Sequence, residues 1–278
     1  MTDASGQRRR KERYSRLEGK KDEYWKYTPL VKAALIGDWE TAQIFFKQYP
    51  NAITDPITNE SETVLHMATG TGPLAINFVA ELLSLEQMTP QALAHRDIQG
   101  NTPLHLAAWV ANTDAAVLLV QRNPGLLSVR EKGGWLPVHY AAINAKKETL
   151  CYLLEVTLMD DASMDVLFFS CGIDQPSGPE LLIHVITSGF YDVALDLVHR
   201  YPQLAISHAP NDDDCGLGAL ARKVDAFRSG TQLNFWECII YAYQARVGWT
   251  RQKEAKTKLE HLLFNDGPEL VWANESLV

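Results

Sequence analysis

The stretch Thr102-Pro103-Leu104-His105-Leu106-Ala107-Ala108 decides the fold of this chain, because related stretches recur along the sequence. In this stretch the threonine hydroxyl suits the entrance of a helix, and the proline fits the first turn, where its missing N–H costs nothing. The small alanine pair lets a neighbouring helix approach closely. The other clear copies are Thr63-Val64-Leu65-His66-Met67-Ala68, Leu136-Pro137-Val138-His139-Tyr140-Ala141-Ala142 and, without the histidine, Thr28-Pro29-Leu30-Val31-Lys32-Ala33-Ala34.

Two weaker copies follow in the C-terminal half of the chain. Glu180 to Ile186 aligns through Leu182 and Gly189, and Cys215 to Ala221 aligns through Leu217 and Ala221. Six units therefore start at positions 28, 63, 102, 136, 180 and 215, a spacing typical of helical repeats. This register is supported by prolines that lie 22 residues after three of the starts and are expected to end the second helix of their unit: Pro50, Pro124 and Pro202.

The motif resembles the ankyrin signature T-P-L-H-x-A, whose unit is about 33 residues long. The resemblance implies an all-α fold, an ankyrin-repeat solenoid of about six helix-turn-helix repeats with the last ones degenerate. It also implies that His66, His105 and His139 hydrogen-bond the helix entrance and the neighbouring backbone rather than act as catalysts or metal ligands. Gly37 falls where the family has the glycine that closes the first helix of a repeat.

Further details resemble the plant ankyrin-repeat proteins of the accelerated-cell-death and PGG-domain type, over about residues 24 to 245. They are Gly37-Asp38-Trp39, Phe190-Tyr191-Asp192-Val193-Ala194 and Leu220-Ala221-Arg222-Lys223. This resemblance implies a role in defence, cell-death or stress signalling, with the repeats as protein-binding surfaces. Typical members carry C-terminal membrane-spanning helices. Here the sequence closes on the polar Asn274-Glu275-Ser276, and we expect no transmembrane segment.

The predicted organisation places a basic flexible arm at residues 1–23 and repeats 1 to 4 at residues 24–156. An insertion at residues 157–178 contains the apolar run Val166-Leu167-Phe168-Phe169 and is interpreted as an extra strand or a lid. The degenerate repeats 5 and 6 follow at residues 179–230. Apolar residues at helical spacing then predict C-terminal capping helices over residues 231–266, before a tail at residues 267–278.

The charge is unevenly distributed along the chain. The first 26 residues carry nine Lys or Arg against five Asp or Glu, a formal charge of +4, which leaves −12 on the remainder. An acidic body does not attract nucleic acid, so we expect none to bind there. The basic arm is open to three interpretations: a nuclear localisation signal, a contact for anionic lipid, or a solvated tail, of which the tail is favoured. We expect the protein to be cytoplasmic, with the nucleus as the alternative location.

Sequence signs of catalysis, metals and cofactors are absent. No P-loop, nucleophile elbow or zinc-protease motif occurs, so an enzyme is not predicted and no cofactor is expected. Cys151, Cys171, Cys215 and Cys238 form no Cys-x-x-Cys pair and are interpreted as reduced core thiols. The cluster at positions 211–214 lacks the alternating carboxylates of a calcium loop and is interpreted as a hairpin tip.

The predicted binding surface is the concave face formed by the tips between repeats and the exposed side of the first helix of each repeat. Trp109 is its expected anchor, since large aromatics dominate interfaces, although an indole folded back over its own helix is the alternative. The function predicted is a non-catalytic adaptor that binds another protein or peptide, with self-association possible; the alternative is a nuclear or membrane-peripheral regulator that uses the basic arm. The predicted contact residues are Gln99, Asn101, Trp109, Val110, Lys132, Trp135, Tyr140, Ile143 and Asn144.

Overall fold

The computed structural model describes residues 24–168, 177–209 and 212–223. These residues belong to two compact units, one formed by residues 24–141 with 148–163 and the other by residues 142–147 with those from 164 onwards. The described part of the chain is mostly helical, and in repeats 1 to 4 a shorter first helix is followed by a longer second helix. The all-α repeat architecture predicted from the sequence is confirmed.

Thirteen α-helices and one β-hairpin lie in the described residues. The first helices of the six repeats are α1 (Thr28–Ile36), α3 (Val64–Thr69), α6 (Pro103–Val110), α8 (Pro137–Ile143), α11 (Gly178–Thr187) and α13 (Gly216–Arg222). The second helices are α2 (Trp39–Gln48), α4 (Ile76–Ser84), α7 (Thr113–Arg122), α9 (Lys147–Met159) and α12 (Tyr191–Arg200). Two short helices, α5 (Pro90–Leu93) and α10 (Asp161–Phe168), lie between repeats.

Except in the fifth repeat, the first helices begin where the motif predicts. Thr63 and Thr102 cap α3 and α6, each with a capping box that the histidine three residues later completes. Nine residues after five of the unit starts the backbone adopts a positive φ, which ends the helix or the turn that follows it. The residues at this position are Gly37, Gly72, Ala111, Ala145 and Gly189, with φ between 54° and 79°.

The second helices end at the prolines that support the repeat register. A 3-10 turn starts at Pro50, Pro124 and Pro202, directly after the last residues of α2, α7 and α12. Proline has no N–H to continue the helix and fixes its own φ, so the chain turns there. The prediction that these three prolines stop the second helices is confirmed.

The core of the first unit is built from the apolar residues of the motif. Leu30, Leu65 and Leu104 occupy one repeat position on α1, α3 and α6, and each is at most 1% exposed. The alanines three residues further on are also buried, at Ala33, Ala68, Ala107 and Ala141. Because a methyl group keeps the helix surfaces close, α1 packs against α3, and α3 packs against α6.

Three sequence predictions differ from the structure. The first helix of the fifth repeat starts one turn before the predicted Glu180, because Ser177 caps it and Glu180 closes the capping box. The insertion is helical over α10 rather than a strand, since Asp160 accepts from the backbone N–H of Ser163 at 2.9 Å and starts a helix. Cys151 is an exposed thiol of α9 rather than a core residue.

A hairpin is present near residue 211, but residues 212–214 of the predicted tip belong to its second strand. β1 (His208–Ala209) and β2 (Asp212–Cys215) pair antiparallel, with His208 opposite Cys215. The predicted arm at residues 1–23 and the capping helices at residues 231–266 lie outside the described residues.

Candidate protein-binding surface

Three similar turns, here called the first, second and third tips, precede α3, α6 and α8. They comprise residues 57–62, 96–101 and 130–135. In the second tip, Oδ1 of Asp97 accepts from the backbone N–H groups of Gln99 and Asn101, both at 2.8 Å. In the third tip, the carboxylate of Glu131 accepts from the N–H groups of Gly133 at 2.8 Å and Trp135 at 3.1 Å. A carboxylate five residues before the unit start therefore folds each of these tips around itself.

One position in each tip has a positive φ. It is occupied by Gly100 with φ 89°, by Gly134 with φ 86° and, in the first tip, by Ser61 with φ 61°. Glycine adopts this conformation without steric cost. A Cβ on Gly100 would in addition lie 2.9 Å from the backbone nitrogen of Lys132, so the second tip also needs glycine to approach the third.

Backbone hydrogen bonds join the tips in a row. The N–H of Ile98 donates to the carbonyl of Glu60 at 2.9 Å, and the N–H of Lys132 donates to the carbonyl of Gln99 at 2.9 Å. The Lys132 ammonium also donates to the carbonyl of Ile98. The same bond at the same position between successive tips fixes their spacing, and with it the spacing of the side chains they carry.

Two buried histidines fasten the tips to the first helices. Nδ1 of His105 accepts from the N–H of Thr102 at 3.1 Å, and Nε2 bonds to the carbonyl of Trp135 in the next tip at 3.2 Å. His66 repeats this with Thr63 at 3.3 Å and with the carbonyl of Asn101 at 3.1 Å. The expected role of these histidines, at the helix entrance and the neighbouring backbone, is confirmed.

This geometry requires neutral imidazole rings. A backbone N–H can only donate, so Nδ1 must be unprotonated and Nε2 must carry the hydrogen that the carbonyl accepts. Burial lowers the pKa of His66 and of His105 from 6.5 to about 4, although the carbonyl bonds act in the opposite direction. Acid is therefore expected to destabilise the tips.

An aromatic pair lies next to the second tip, on the first helices of the third and fourth repeats. The ring centroids of Trp109 and Tyr140 are 5.5 Å apart at an angle of 51°, and the indole is 52% exposed. The half-buried Tyr140 ring also meets the edge of His105 at 5.3 Å, and its hydroxyl donates to Oδ1 of Asn101 at 3.0 Å. Burial raises the pKa of Tyr140 to about 12, with the negative charges of Glu131 and Asp97 as smaller contributions in the same direction.

The structure brings most of the predicted contact residues of the first unit together. Trp109, Gln99 and Lys132 are exposed, and Val110, Trp135 and Tyr140 are half-buried. Asn101 is different, because it is only 8% exposed and its side chain bonds Asp97 and Tyr140. It positions the tip rather than facing a partner.

The remaining two predicted residues belong to the other unit. Ile143 is exposed at the end of α8 and Asn144 is half-buried just beyond it. We therefore describe the candidate surface, here called the aromatic face, by six residues of the first unit: Gln99, Trp109, Val110, Lys132, Trp135 and Tyr140.

Three further apolar residues of these tips and first helices were not predicted as contact residues. Met67 and Leu106 are half-buried on α3 and α6, at the repeat position that Tyr140 occupies on α8. The exposed Ile98 of the second tip was missed as well. The repeat register contained the signal for Met67 and Leu106, because every residue four positions after a unit start shares the side on which Tyr140 lies.

In the part of the chain that the structure describes, no three or more His, Cys, Asp or Glu side chains converge as metal ligands would. Nor does any helix there combine the length and apolarity that crossing a bilayer requires.

A comparison with protein families finds a match over the segment that carries the aromatic face. A family model described as "Ankyrin repeats (many copies)" matches residues 85–141. The matched segment contains the second and third tips, α6, α7 and most of α8, and so all six residues of the aromatic face. The segment is thus similar to ankyrin repeats, whose general role is to mediate protein–protein interaction.

Proposed function

We propose that this protein is a non-catalytic adaptor that binds a protein or an extended peptide on the aromatic face of its first unit. The observation that carries the proposal is the indole of Trp109, a large aromatic side chain that remains 52% exposed on a rigid helix. Tryptophan is strongly enriched among the residues that dominate interface energies. A half-exposed indole on a fixed support offers a partner apolar area at little cost in side-chain entropy.

The support beneath the indole is rigid for three reasons. Tyr140 packs against it at 5.5 Å, the hydroxyl of that tyrosine is bonded to Asn101, and the tip that holds Asn101 is bonded to Asp97. A partner therefore meets a preorganised surface, and preorganisation improves affinity because fewer groups need to be ordered on binding. Met67 and Leu106 extend the apolar surface onto α3 and along α6.

We further propose, from the sequence resemblance to plant ankyrin-repeat proteins, that the adaptor acts in defence or stress signalling in the cytoplasm or the nucleus. The pattern Gly37-Asp38-Trp39 in the first repeat and the pattern after Phe190 in the fifth support this. The location is tested by imaging the tagged full chain in plant cells before and after a defence stimulus, where exclusive accumulation in another compartment would refute it.

The binding proposal is tested with Trp109→Ala. Random 12-residue peptides displayed on phage are selected against the full-length protein, and the affinities of the selected peptides are measured by fluorescence anisotropy. We expect Trp109→Ala to weaken binding about thirtyfold, the effect of removing a central aromatic contact worth about 2 kcal/mol. The variant should fold, because half of the indole already faces water.

Ile44→Ala is the matched control. Ile44 is 68% exposed on α2, a second helix away from the aromatic face, and its truncation also removes exposed apolar surface. Its affinity for the peptides should equal that of the unsubstituted protein. Tyr140→Ala is a poorer test, since it also breaks the bond to Asn101. Equal affinities for all selected peptides in the Trp109→Ala and Ile44→Ala variants would refute the aromatic face as the binding site.

A further inference from the structure

The two rings of the aromatic face are in contact and inclined to each other, and the indole is half-exposed. With centroids 5.5 Å apart and planes inclined by 51°, Trp109 and Tyr140 can both contact one side chain of a partner. The face of an aromatic ring carries the negative part of its quadrupole, and indole and phenol rings attract cations placed within about 6 Å of their centroids. This geometry alone suits either an apolar or a cationic side chain.

A chain of hydrogen bonds makes the Tyr140 ring richer in electrons. The phenol donates to Oδ1 of Asn101 at 3.0 Å, and Nδ2 of Asn101 donates to Oδ2 of Asp97 at 2.9 Å. The carboxylate polarises the amide, and the polarised amide oxygen draws the phenolic proton more strongly. The phenol stays protonated, and the hydrogen bond that it donates makes its ring face more negative.

Two carboxylates next to the aromatic face contribute negative charge. Asp97 and Glu131 accept hydrogen bonds from neutral amide N–H groups, and within the described ranges neither is part of an ion pair. Both are half-buried, where charges are screened less than in bulk water. Their effect reaches the aromatic face, because both raise the pKa of Tyr140.

Basic residues of the tips only partly offset these charges. Arg130 donates to the carbonyl of Gly134 at 2.6 Å and Lys132 donates to the carbonyl of Ile98, so both are engaged with the backbone. Arg96 is exposed at the start of the second tip. A further acidic side chain, the exposed Glu60, lies in the first tip, whose carbonyl bonds Ile98.

We propose that the angle between Trp109 and Tyr140 binds a positively charged side chain of the partner peptide, with arginine preferred over lysine. The inference rests on the proposed function and names the chemistry of its main contact. A guanidinium group is planar, stacks on aromatic rings and is less strongly hydrated than an ammonium group, so it is desolvated against the two rings at lower cost. The carboxylates of Asp97 and Glu131 favour it over a neutral side chain of the same shape.

The test uses the peptides selected under the proposed function. Each arginine is replaced in turn by citrulline, which keeps the shape and removes the charge, and each lysine by norleucine. We expect one basic position at which neutralisation weakens binding about tenfold, within the range of a desolvated cation–π contact. In Trp109→Leu, which keeps an apolar side chain but has no ring, the same neutralisation should cost less than threefold.

A second measurement needs no selected peptide. N-acetyl-arginine N-methylamide is titrated into the ¹⁵N-labelled full-length protein, and the indole N–H signal of Trp109 is identified by its loss in Trp109→Phe. That signal should shift with the arginine derivative and stay in place with the citrulline derivative. Identical shifts with both derivatives, or selected peptides that need Trp109 but no basic residue, would overturn the cation site while leaving peptide binding at the aromatic face intact.

Discussion

Acidification from pH 7 to pH 4 is expected to remove about 6 kcal/mol of folding free energy from this protein through His66 and His105. Each has its pKa lowered from 6.5 to about 4 by burial, and each pKa unit is worth about 1.4 kcal/mol. Each residue thus contributes about 3 kcal/mol. Protonation of Nδ1 also breaks the capping bond from the threonine three residues earlier.

The direction of this change in stability follows from the number of protons that the folded and the unfolded states bind. Between pH 4 and pH 6.5 these two residues are protonated in the unfolded chain and neutral in the folded one, so the unfolded state binds more protons and stability falls as the pH falls. Above pH 6.5 both states are neutral, and below pH 4 both are protonated, so the dependence from these residues ends at either limit. The whole loss is therefore confined to that window.

Urea unfolding followed by circular dichroism at half-unit steps from pH 7.5 to pH 4 measures this effect. The double variant His66→Gln, His105→Gln retains an acceptor at the capping position and has no titratable ring there, so its urea midpoint should vary much less over the window. His208→Gln, at an exposed residue of β1, is the matched control and should follow the unsubstituted protein. A double variant with an undiminished pH dependence would contradict the assignment.

Asn112→Ala is expected to destabilise the protein by about 3 kcal/mol, the second largest effect we predict. Asn112 is 0% exposed and joins two repeats. Its Nδ2 donates to the carbonyls of Gly72 at 2.7 Å and Thr69 at 3.2 Å, while its Oδ1 caps α7 through the N–H of Ala115 at 3.2 Å. Alanine leaves three buried polar groups without a partner.

Asp38→Ala is the matched control, since Asp38 holds the same repeat position and caps α2 through Thr41. Its partners face water, so its loss should be less than half that of Asn112→Ala. Asn112→Ser separates the two roles, because serine can still accept at the cap but cannot replace both donor contacts. Thermal or urea unfolding compares the three variants. Equal losses for Asn112→Ala and Asp38→Ala would show that the bond between repeats adds nothing.

The sequence predicts the fold well where a residue acts on the backbone of its own turn. Prolines that end helices and threonines that begin them act within a single turn, so Pro50 and Thr102 could be placed without knowledge of the rest of the chain. The histidines could be assigned through the ankyrin resemblance, although their depressed pKa depends on burial that only packing creates. In the fifth repeat the motif is weaker and the start of the first helix was predicted one turn too late. Ser177 and Glu180 can start a helix as well as threonine and histidine can.

The candidate site is harder to predict, because its residues act through contacts between repeats. Asn101 has the polar side chain expected of a surface residue, yet the tip folds around Asp97 and buries it. Trp109 is half-exposed, whereas Tyr140 packs against it and is hydrogen-bonded to Asn101. This difference depends on contacts between the second tip and two repeats, and not on the type of either residue. Cys151 looks like a core thiol by type and is nevertheless exposed on α9.

Amide hydrogen exchange of the full-length protein, with and without a saturating selected peptide, tests the central claim of binding at the aromatic face most directly. We predict slower exchange in the second and third tips, at residues 97–101 and 131–135, and in α6, with no change in α2 and α4. Peptide-induced protection confined to α2 and α4, or found only in the second unit, would contradict the account.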